Sequence, residues 1–299
     1  SCTGQKTGKE NDNNDKIAIE VGEIKFPPQD VLQLKSYYLS SSVHVDSIDY
    51  LIGYNYRLHS LDCMNLKSKS VTQIVLPGDG PDAIVRLSGI YAQSLDSVWI
   101  SDESERAFLI DSVGTIKRMI DLKKYLEDQE QLLINTNYAM FTSHLFYNAS
   151  RHSLMFLVKH TPSNTFIVKE VFIDEVGKMA TYQLSSSKVV PDMSKGYAYI
   201  NFPNVNFVGE NIVYNYPVES SIYMLDIRTN ERKYILADSH YTSNIIEKCT
   251  TSGDYATLEK HWLENSHFYD IMYLPKYKIY ARLHADKVDF DEKKGMEKL

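Results

Sequence analysis

The sequence has few of the residues and patterns that many functional classes need. Its 299 residues include three cysteines, at positions 2, 63 and 249, and no CxxC pair. Thiols so few and so far apart indicate neither a disulfide framework nor a zinc ribbon or thioredoxin site. Cys63 lies within a strand pattern, so we expect it to be a buried free thiol. No apolar run approaches the roughly 18–20 residues that a membrane-spanning helix needs.

Basic charge and catalytic motifs are also scarce. The chain carries 32 Lys and Arg against 39 Asp and Glu, a net charge of −7, with no basic stripe of interleaved aromatics. We therefore expect no nucleic-acid partner. There is no GxSxG, HExxH or EF-hand pattern. The Gly- and Pro-rich segment 76–82 lacks the Lys-Ser/Thr that closes a phosphate cradle, so it is predicted to be a loop. We expect neither a cofactor nor a metal.

What the sequence does contain is tyrosine, 22 in all, and a repeated strand pattern. The clearest copy runs Ser97-Val-Trp-Ile-Ser-Asp102, then Arg106-Ala-Phe-Leu-Ile-Asp111, then a third run from Gly114 to Leu122. Apolar and polar residues alternate within these runs, which is typical of half-buried strands. Comparable strand starts recur 48 to 58 residues apart, at Tyr50, Val98, Leu154, Ile212 and Tyr269.

A repeat of this kind predicts an all-β fold, a β-propeller with four-stranded antiparallel blades. Five repeats are clear and a six-bladed ring is expected, with residues 17–299 forming one propeller domain. Because the chain ends just after the fifth repeat, we expect a C-terminal truncation, with Ile17–Lys25 as a candidate closing strand. A large β-sandwich, or two smaller β domains, is the alternative. Short helices are predicted at 121–135 and near 255–262.

The N-terminus carries a second signal. Cys2 follows a small residue and precedes a polar stretch that reaches Lys16, which predicts a disordered tether over residues 1–16. This arrangement is typical of a processed bacterial lipoprotein, in which Cys2 is the lipid attachment site. An ordinary exposed thiol is the alternative. On the lipoprotein interpretation the protein is a monomer of the bacterial cell envelope, periplasm-facing, and touches the membrane only through its N-terminal lipid.

Short motifs in the chain resemble those of a known family. They are the Gly-Asp-Gly-Pro turn at 78–81, the run Asp96–Asp102, the Asp-x-x-Gly turn within Ile110–Ile116 and the Tyr-rich segment His267–Arg282. These are similar to the six-bladed propeller lipoproteins of Bacteroides-type bacteria, in particular to the domain-of-unknown-function 4221 family. The resemblance implies a propeller fold and an envelope location. It implies no activity.

Two clusters of ionisable residues are candidates for a catalytic or a metal site. Asp102, Glu103 and Glu105 follow a strand and could form a glycosidase carboxylate pair, although solvated turn acids are the simpler interpretation. A second cluster combines acids and imidazoles and could hold a metal: Glu259, His261, Glu264 and His267. Its spacing fits no single helix face, so a solvated surface is favoured there. We assign no catalytic and no metal-binding residue.

The functional surface of a propeller is the mouth of its central channel, lined by the innermost strands. These strands are predicted at Ile90–Ser94, Tyr138–His144 and Tyr199–Phe207. The candidate ligand-binding residues on them are Tyr91, Tyr138, His144, Tyr199 and Asn204. Rings and amides of this kind suit sugar or peptide contacts. The sequence thus predicts a binding or scaffold module for a peptide, glycan or partner protein; the alternative is a hydrolase or lyase acting through channel-mouth carboxylates.

Overall fold

The computed structural model describes residues 22–27, 37–134, 145–188, 202–248 and 255–288. These residues form four antiparallel sheets of four or five strands, one two-stranded hairpin and little helix. The helices are α1 (Tyr255–Leu263) and one 3-10 turn (Leu122–Tyr125). The predicted all-β class and the short helix near residue 255 are confirmed. No helix in the described ranges has the length and apolar character that crossing a bilayer requires.

Each sheet is a blade whose strands pair in chain order, with one exception in the third blade. Blade 1 contains β1 (Ser40–Val45), β2 (Ile48–Asn55), β3 (Ser60–Asn65) and β4 (Val71–Val75). Blade 2 contains β5 (Leu87–Ser94), β6 (Ser97–Asp102), β7 (Arg106–Ile110) and β8 (Ile116–Asp121). Blade 3 contains β9 (Glu130–Leu132), β10 (Phe146–Asn148), β11 (Ser153–His160), β12 (Thr165–Phe172) and β13 (Met179–Gln183). Here β9 pairs with β11, as β10 does. Blade 4 contains β14 (Asn204–Val208), β15 (Asn211–Asn215), β16 (Ile222–Asp226) and β17 (Arg232–Ile235). The hairpin pairs β18 (His267–Leu274) with β19 (Ile279–Ala285).

Tight turns connect the strands within a blade. Between β1 and β2 the two turn residues Asp46 and Ser47 both have positive φ, at 49° and 64°. This is the type I′ geometry, whose twist matches that of the flanking strands. Between β7 and β8 the Asp111 carboxylate accepts backbone N–H bonds from Val113 and Thr115, while Gly114 takes φ 84°. The Asp-x-x-Gly motif is therefore a side-chain-capped turn.

The core consists of apolar layers between neighbouring blades. On β6, Val98 and Ile100 pack against blade 1, whereas Trp99 between them packs against blade 3. On β11, Phe156 packs against blade 2 and Leu157 against blade 4. The period-2 alternation of a strand thus places apolar side chains on both faces of one sheet. Because successive sheets stack face to face in this way, the fold is a propeller and the β-sandwich alternative is wrong.

The count of blades differs from the expected six. The described residues contain four complete blades, and the fifth repeat contributes only the hairpin β18–β19. The repeat spacing groups the strand that contains Tyr269 with the second strands of the blades, such as the one that contains Val98. In the structure this strand, β18, instead lies innermost, beside β14. Two asparagines fix it there, since Asn204 and Asn206 donate to the carbonyls of β18.

One local prediction was also wrong, and another is tested only at its end. The helix predicted over 121–135 is a single 3-10 turn, after which β9 begins, because pairing of Glu130–Leu132 with β11 replaces helical hydrogen bonds. Of the candidate closing strand Ile17–Lys25, residues 22–25 are described and form no strand; the remainder lies outside the described residues. Cys63 is a buried free thiol as expected, and burial together with the Asp62 charge raises the pKa of its thiol to about 11.

Candidate functional site: the central channel

The innermost strands surround one cavity of about 610 Å³, which we call the central channel. Strands β1, β5, β10, β14 and β18 each supply part of its wall. The described residues lining it are Ser40, Ser41, Ser42, Ile90, Tyr91, Leu145, Phe146, Asn206, Phe207, Val208, Gly209, Tyr273 and Pro275. Their side chains are hydroxyl, amide, aromatic and aliphatic groups. The channel therefore offers neutral polar groups beside ring faces.

Two of the five strands coincide with ranges that the sequence predicts to lie innermost. The range Ile90–Ser94 falls within β5, and the end of Tyr199–Phe207 coincides with most of β14. The third range, Tyr138–His144, lies outside the described residues. The lining strand β10 begins just after it, at Phe146. The strands β1 and β18 had not been assigned to the channel.

One wall of the channel is aromatic. The ring of Tyr91 meets Phe146 edge to face, with centroids 5.1 Å apart, and Phe146 stacks on Phe207 at 4.8 Å. These rings come from three successive blades, so the aromatic wall joins them around the channel. Burial, and then the neighbouring Tyr147, raises the pKa of Tyr91. Its phenol stays protonated at neutral pH and can both donate and accept a hydrogen bond.

Tyr273 faces the channel from the hairpin and was missed in the sequence. Its ring lies 5.1 Å from that of Tyr280 on the paired strand, so the two rings support each other. The Tyr-rich character of this segment was visible in the sequence. The residue was missed because the fifth repeat was aligned with second strands, which places its side chains away from the channel.

Polar side chains join neighbouring inner strands where no main-chain ladder connects them. Ser41 on β1 accepts a hydrogen bond from the Ala92 backbone N–H at 3.0 Å. Asn206 on β14 donates to the Ile271 carbonyl at 2.9 Å, while its side-chain oxygen accepts from the Phe207 N–H. Inner strands have an unpaired edge, and these bonds satisfy part of it. The hydroxyls of Ser40 and Ser42 remain on the channel wall, with both residues exposed.

Of the predicted ligand-binding residues, the structure brings one to the channel wall and places another beside it. Tyr91 lines the channel. Asn204 is 3% exposed and donates to the Phe268 carbonyl at 3.2 Å, so it connects β14 to β18. Tyr138, His144 and Tyr199 lie outside the described residues, as does Cys2. Ligand binding by any of these residues stays a prediction.

The acid cluster after β6 does not form a carboxylate pair. Asp102 is 1% exposed, contrary to the solvated turn acid that was favoured, because Arg106 forms an ion pair with it at 2.5 Å. The backbone N–H groups of Ser104 and Arg106 donate to the same carboxylate. Glu103 is exposed and lies 3.5 Å from Arg86. Asp102 thus stabilises the β6–β7 turn of blade 2.

The mixed acid and imidazole cluster is dispersed. His261 bonds to the Glu247 carbonyl at 2.7 Å, whereas His267 is buried and stacks on Trp262 with ring centroids 3.4 Å apart. Burial lowers the pKa of His267 to about 4, so its ring is neutral at pH 7. The side chain of Glu259 lies outside the described set. Among the side chains that are described, no group of three His, Cys, Asp or Glu is arranged to hold a metal.

The fold is similar to known structures. A member of the duf4221 family from Bacteroides vulgatus aligns with a TM-score of 0.70 and 14% identity, over 89% of this chain and 76% of that chain. An oligogalacturonate lyase from Vibrio parahaemolyticus aligns with a TM-score of 0.40, at 11% identity, over 68% of this chain and 54% of the lyase. The calcium-binding protein regucalcin from Agrobacterium tumefaciens gives 0.36 and 16%, over 70% of this chain and 62% of regucalcin.

No protein-family profile matches the sequence, and no curated protein does either. The Bacteroides vulgatus structure comes from the same family that the sequence motifs resemble, so that resemblance is confirmed at the level of the fold. At 14% identity the shared property is the propeller architecture.

Proposed function

We propose that the protein is a binding module whose ligand enters the central channel, and that this ligand is a neutral, hydroxyl-rich molecule such as the end of a glycan chain. The observation that carries the proposal is the composition of the described channel wall. Hydroxyls, one amide and four aromatic rings surround a cavity of about 610 Å³, within the size range of small-ligand sites.

A glycan fits this wall better than a charged ligand does. Sugar rings present C–H faces that pack on aromatic rings and hydroxyls that bond to Ser, Asn and Tyr. Tyr91 and Tyr273 supply both kinds of contact, each with a ring and a phenol group. The described lining offers no ammonium, guanidinium or carboxylate group to pair with a charged ligand. A peptide end would lack such partners for its terminal charge.

Calorimetric titration with a panel of neutral oligosaccharides, acidic oligosaccharides and short peptides tests this proposal. We expect micromolar to millimolar binding of a neutral member, and about tenfold weaker binding by Tyr273→Ala, a loss of about 1.4 kcal/mol. Tyr91→Phe, which removes only the hydroxyl, should weaken binding less. Tyr277→Ala is the matched control, since Tyr277 lies in the same hairpin, is 64% exposed and does not line the channel. Preference for a charged ligand, or equal losses in Tyr273→Ala and Tyr277→Ala, would contradict the proposal.

The alternative of a hydrolase or lyase needs two carboxylates converging at the channel mouth. The described lining supplies none, so an enzyme of this kind would depend on residues outside the described ranges. Incubating the bound oligosaccharide with the protein and following product formation by mass spectrometry separates the two functions. A stoichiometric complex with intact ligand supports the binding module, whereas turnover supports the enzyme.

The cellular location, the oligomeric state and the number of blades that we propose rest on the sequence and its family resemblance. We propose that Cys2 carries the lipid, that the protein is an envelope-anchored monomer facing the periplasm, and that its ring has six blade positions. Expression behind a lipoprotein signal sequence, with an alkyne fatty acid in the medium, tests the anchor. Labelling should be lost in Cys2→Ser and kept in Cys63→Ser, because Cys63 is buried.

A further inference from the structure

Among the residues that the structure describes, four buried polar atoms have no hydrogen-bond partner where blade 4 meets the hairpin β18–β19. They are both side-chain atoms of Asn215, one carboxylate oxygen of Glu219 and one terminal nitrogen of Arg282. Asn215 and Glu219 are fully buried. Leaving such atoms unpaired costs on the order of 1–3 kcal/mol for each, and more for charged groups. A folded protein therefore satisfies them with something that these three side chains do not supply.

The three residues are connected to Phe268 of β18, Arg282 by direct contact and the other two through Pro217 and Asn204. The Arg282 guanidinium lies over the Phe268 ring, with its carbon 4.1 Å from the ring centroid. The Phe268 N–H donates to the Pro217 carbonyl at 3.0 Å, two residues before Glu219. We call this contact between blade 4 and the hairpin the polar seam.

Asn215 reaches the polar seam through the strand pairing. It lies directly across from Asn204 in the β14–β15 register, and Asn204 donates to the Phe268 carbonyl at 3.2 Å. The two asparagines thus occupy adjacent strands at the same level of the sheet. Asn204 is bound to the hairpin backbone, whereas the amide of Asn215 beside it has no partner.

The second carboxylate oxygen of Glu219 and the second terminal nitrogen of Arg282 each have a hydrogen-bond partner. Glu219 accepts a hydrogen bond from the Tyr223 hydroxyl at 2.9 Å on its second oxygen. Arg282 donates from its other terminal nitrogen to the Ala237 carbonyl at 3.1 Å. Burial lowers the pKa of Arg282 to about 10, and the Glu219 charge acts in the opposite direction. The two charges therefore interact across the seam without a direct hydrogen bond.

The unpaired set is balanced between donors and acceptors. The Asn215 and Arg282 nitrogens donate, and the Asn215 and Glu219 oxygens accept. The formal charges of Glu219 and Arg282 cancel, so an occupant needs no charge, and it must be small because all four atoms are sealed from solvent. Water both donates and accepts, and buried waters typically make about three hydrogen bonds to such groups. We propose that the polar seam is a buried hydration site in which one or two ordered waters bridge Asn215, Glu219 and Arg282.

A crystal structure of the protein at about 1.5 Å resolution tests the proposal without any variant. We expect spherical density within hydrogen-bonding distance of at least two of the four atoms. Two outcomes overturn the proposal. One is a direct Glu219–Arg282 ion pair with Asn215 bonded to protein groups, and the other is density too large for water or with the coordination of an ion.

Magnetic relaxation dispersion of water oxygen-17, which counts long-lived internal waters, tests it in solution. The Asn215→Leu variant keeps the side-chain size and removes two of the four partners, so its dispersion amplitude should fall relative to the native protein. Asn211→Leu is the matched control at the other end of the same strand, where the side chain is partly exposed. An unchanged amplitude in folded Asn215→Leu, or an equal fall in both variants, overturns the proposal. If Asn215→Leu does not fold, the native crystal structure decides.

Discussion

The contact between blades 2 and 3 and the contact between blade 4 and the hairpin are built in opposite ways. The first, which we call the apolar seam, contains Trp99 stacked on Tyr147 at 5.8 Å, with Phe156 fully buried nearby. The second is the polar seam, where the Arg282 guanidinium lies over the Phe268 ring and the charge of Glu219 acts on the pKa of Arg282. Burial of apolar area stabilises the first without regard to direction. The second depends on directional bonds, each of which must be satisfied.

The outer strand of the hairpin, β19, has little apolar packing to compensate for this difference. On β19, Leu283 is 63% exposed and Tyr280 is 37% exposed, so much of its apolar surface lies outside the core. On β6 of blade 2, by contrast, Val98 and Ile100 are fully buried. A propeller blade is stabilised by neighbours on both faces. The hairpin contacts a described neighbour, blade 4, through β14 and β15. We therefore expect substitutions in the apolar seam to have the larger effects.

The largest effect is expected from Trp99→Ala. Trp99 is 2% exposed and its removal leaves a cavity in the apolar seam, so the free energy of unfolding should fall by about 3–5 kcal/mol. Urea denaturation followed by far-UV circular dichroism measures this loss. Trp262→Ala is the matched control beside the polar seam, where the indole is only partly buried. A loss in Trp262→Ala as large as that in Trp99→Ala would contradict the comparison.

The same contrast explains how much of the fold could be predicted. Blades 1 to 4 follow from apolar alternation, because residues such as Trp99 and Phe156 contact one neighbouring blade while the residues beside them contact the other. The hairpin has the strand pattern but not the register of the other repeats. Its position depends on side-chain bonds from Asn204 and Asn206 to backbone carbonyls. Such bonds carry no periodic signal in the sequence.

The sequence predicts the part of the candidate site that lies on the regular repeats and not the part on the hairpin. Tyr91 was assigned to the channel because β5 follows the repeat, and Tyr273 was missed because β18 does not. The apolar rings Phe146 and Phe207 also line the channel, whereas the candidates predicted from the sequence are tyrosine, histidine and asparagine side chains. The unpartnered atoms of Asn215 and Glu219 depend on contacts between residues distant in sequence from Arg282. Only coordinates reveal that a buried polar atom lacks a partner.

The next effect is a pH dependence of the hairpin region. His267 is buried, and burial first, with a contribution from His284, lowers its pKa to about 4, below the unfolded value near 6.5. The unfolded chain therefore takes up a proton below pH 6.5 that the folded protein does not. The stability that neutral His267 contributes is complete above pH 6.5 and is lost as the pH falls toward 4, by up to about 3 kcal/mol.

Urea titrations between pH 7.5 and 4.5 measure this slope in the native protein and in His267→Phe, which keeps a ring against Trp262. We expect the native protein to lose more stability than His267→Phe as the pH falls. Identical slopes for the two proteins would mean that buried His267 does not make the hairpin region sensitive to acid.

A smaller effect is expected from a glycine at the contact between blades 1 and 2. Gly114 has φ 84°, and an added Cβ would meet the Val75 carbonyl oxygen of blade 1. Gly209, at the channel, has φ 60° and open space around it. Both Ala substitutions cost about 1 kcal/mol for the left-handed conformation. Gly114→Ala should cost about 1–2 kcal/mol more, because the blades must separate to accept the methyl group. Thermal unfolding of the two variants, measured side by side, tests this difference. Equal melting temperatures would show that the contact between blades 1 and 2 accepts the methyl group without loss of stability.

The smallest effect is expected from a surface ion pair across the apolar seam. Arg118 on β8 of blade 2 donates to the Ile173 carbonyl at 2.9 Å and lies 3.1 Å from the Asp174 carboxylate of blade 3. Exposed pairs contribute about 0.2–1 kcal/mol, so Arg118→Ala should lower the free energy of unfolding by less than 1 kcal/mol. The matched control is Lys233→Ala, whose partner Glu231 belongs to the same blade. About 1 M salt should reduce the difference between the native protein and Arg118→Ala, because it screens exposed charges. If Arg118→Ala instead costs as much as Trp99→Ala, charge rather than apolar packing stabilises the contact between blades 2 and 3, and the distinction between the two seams fails.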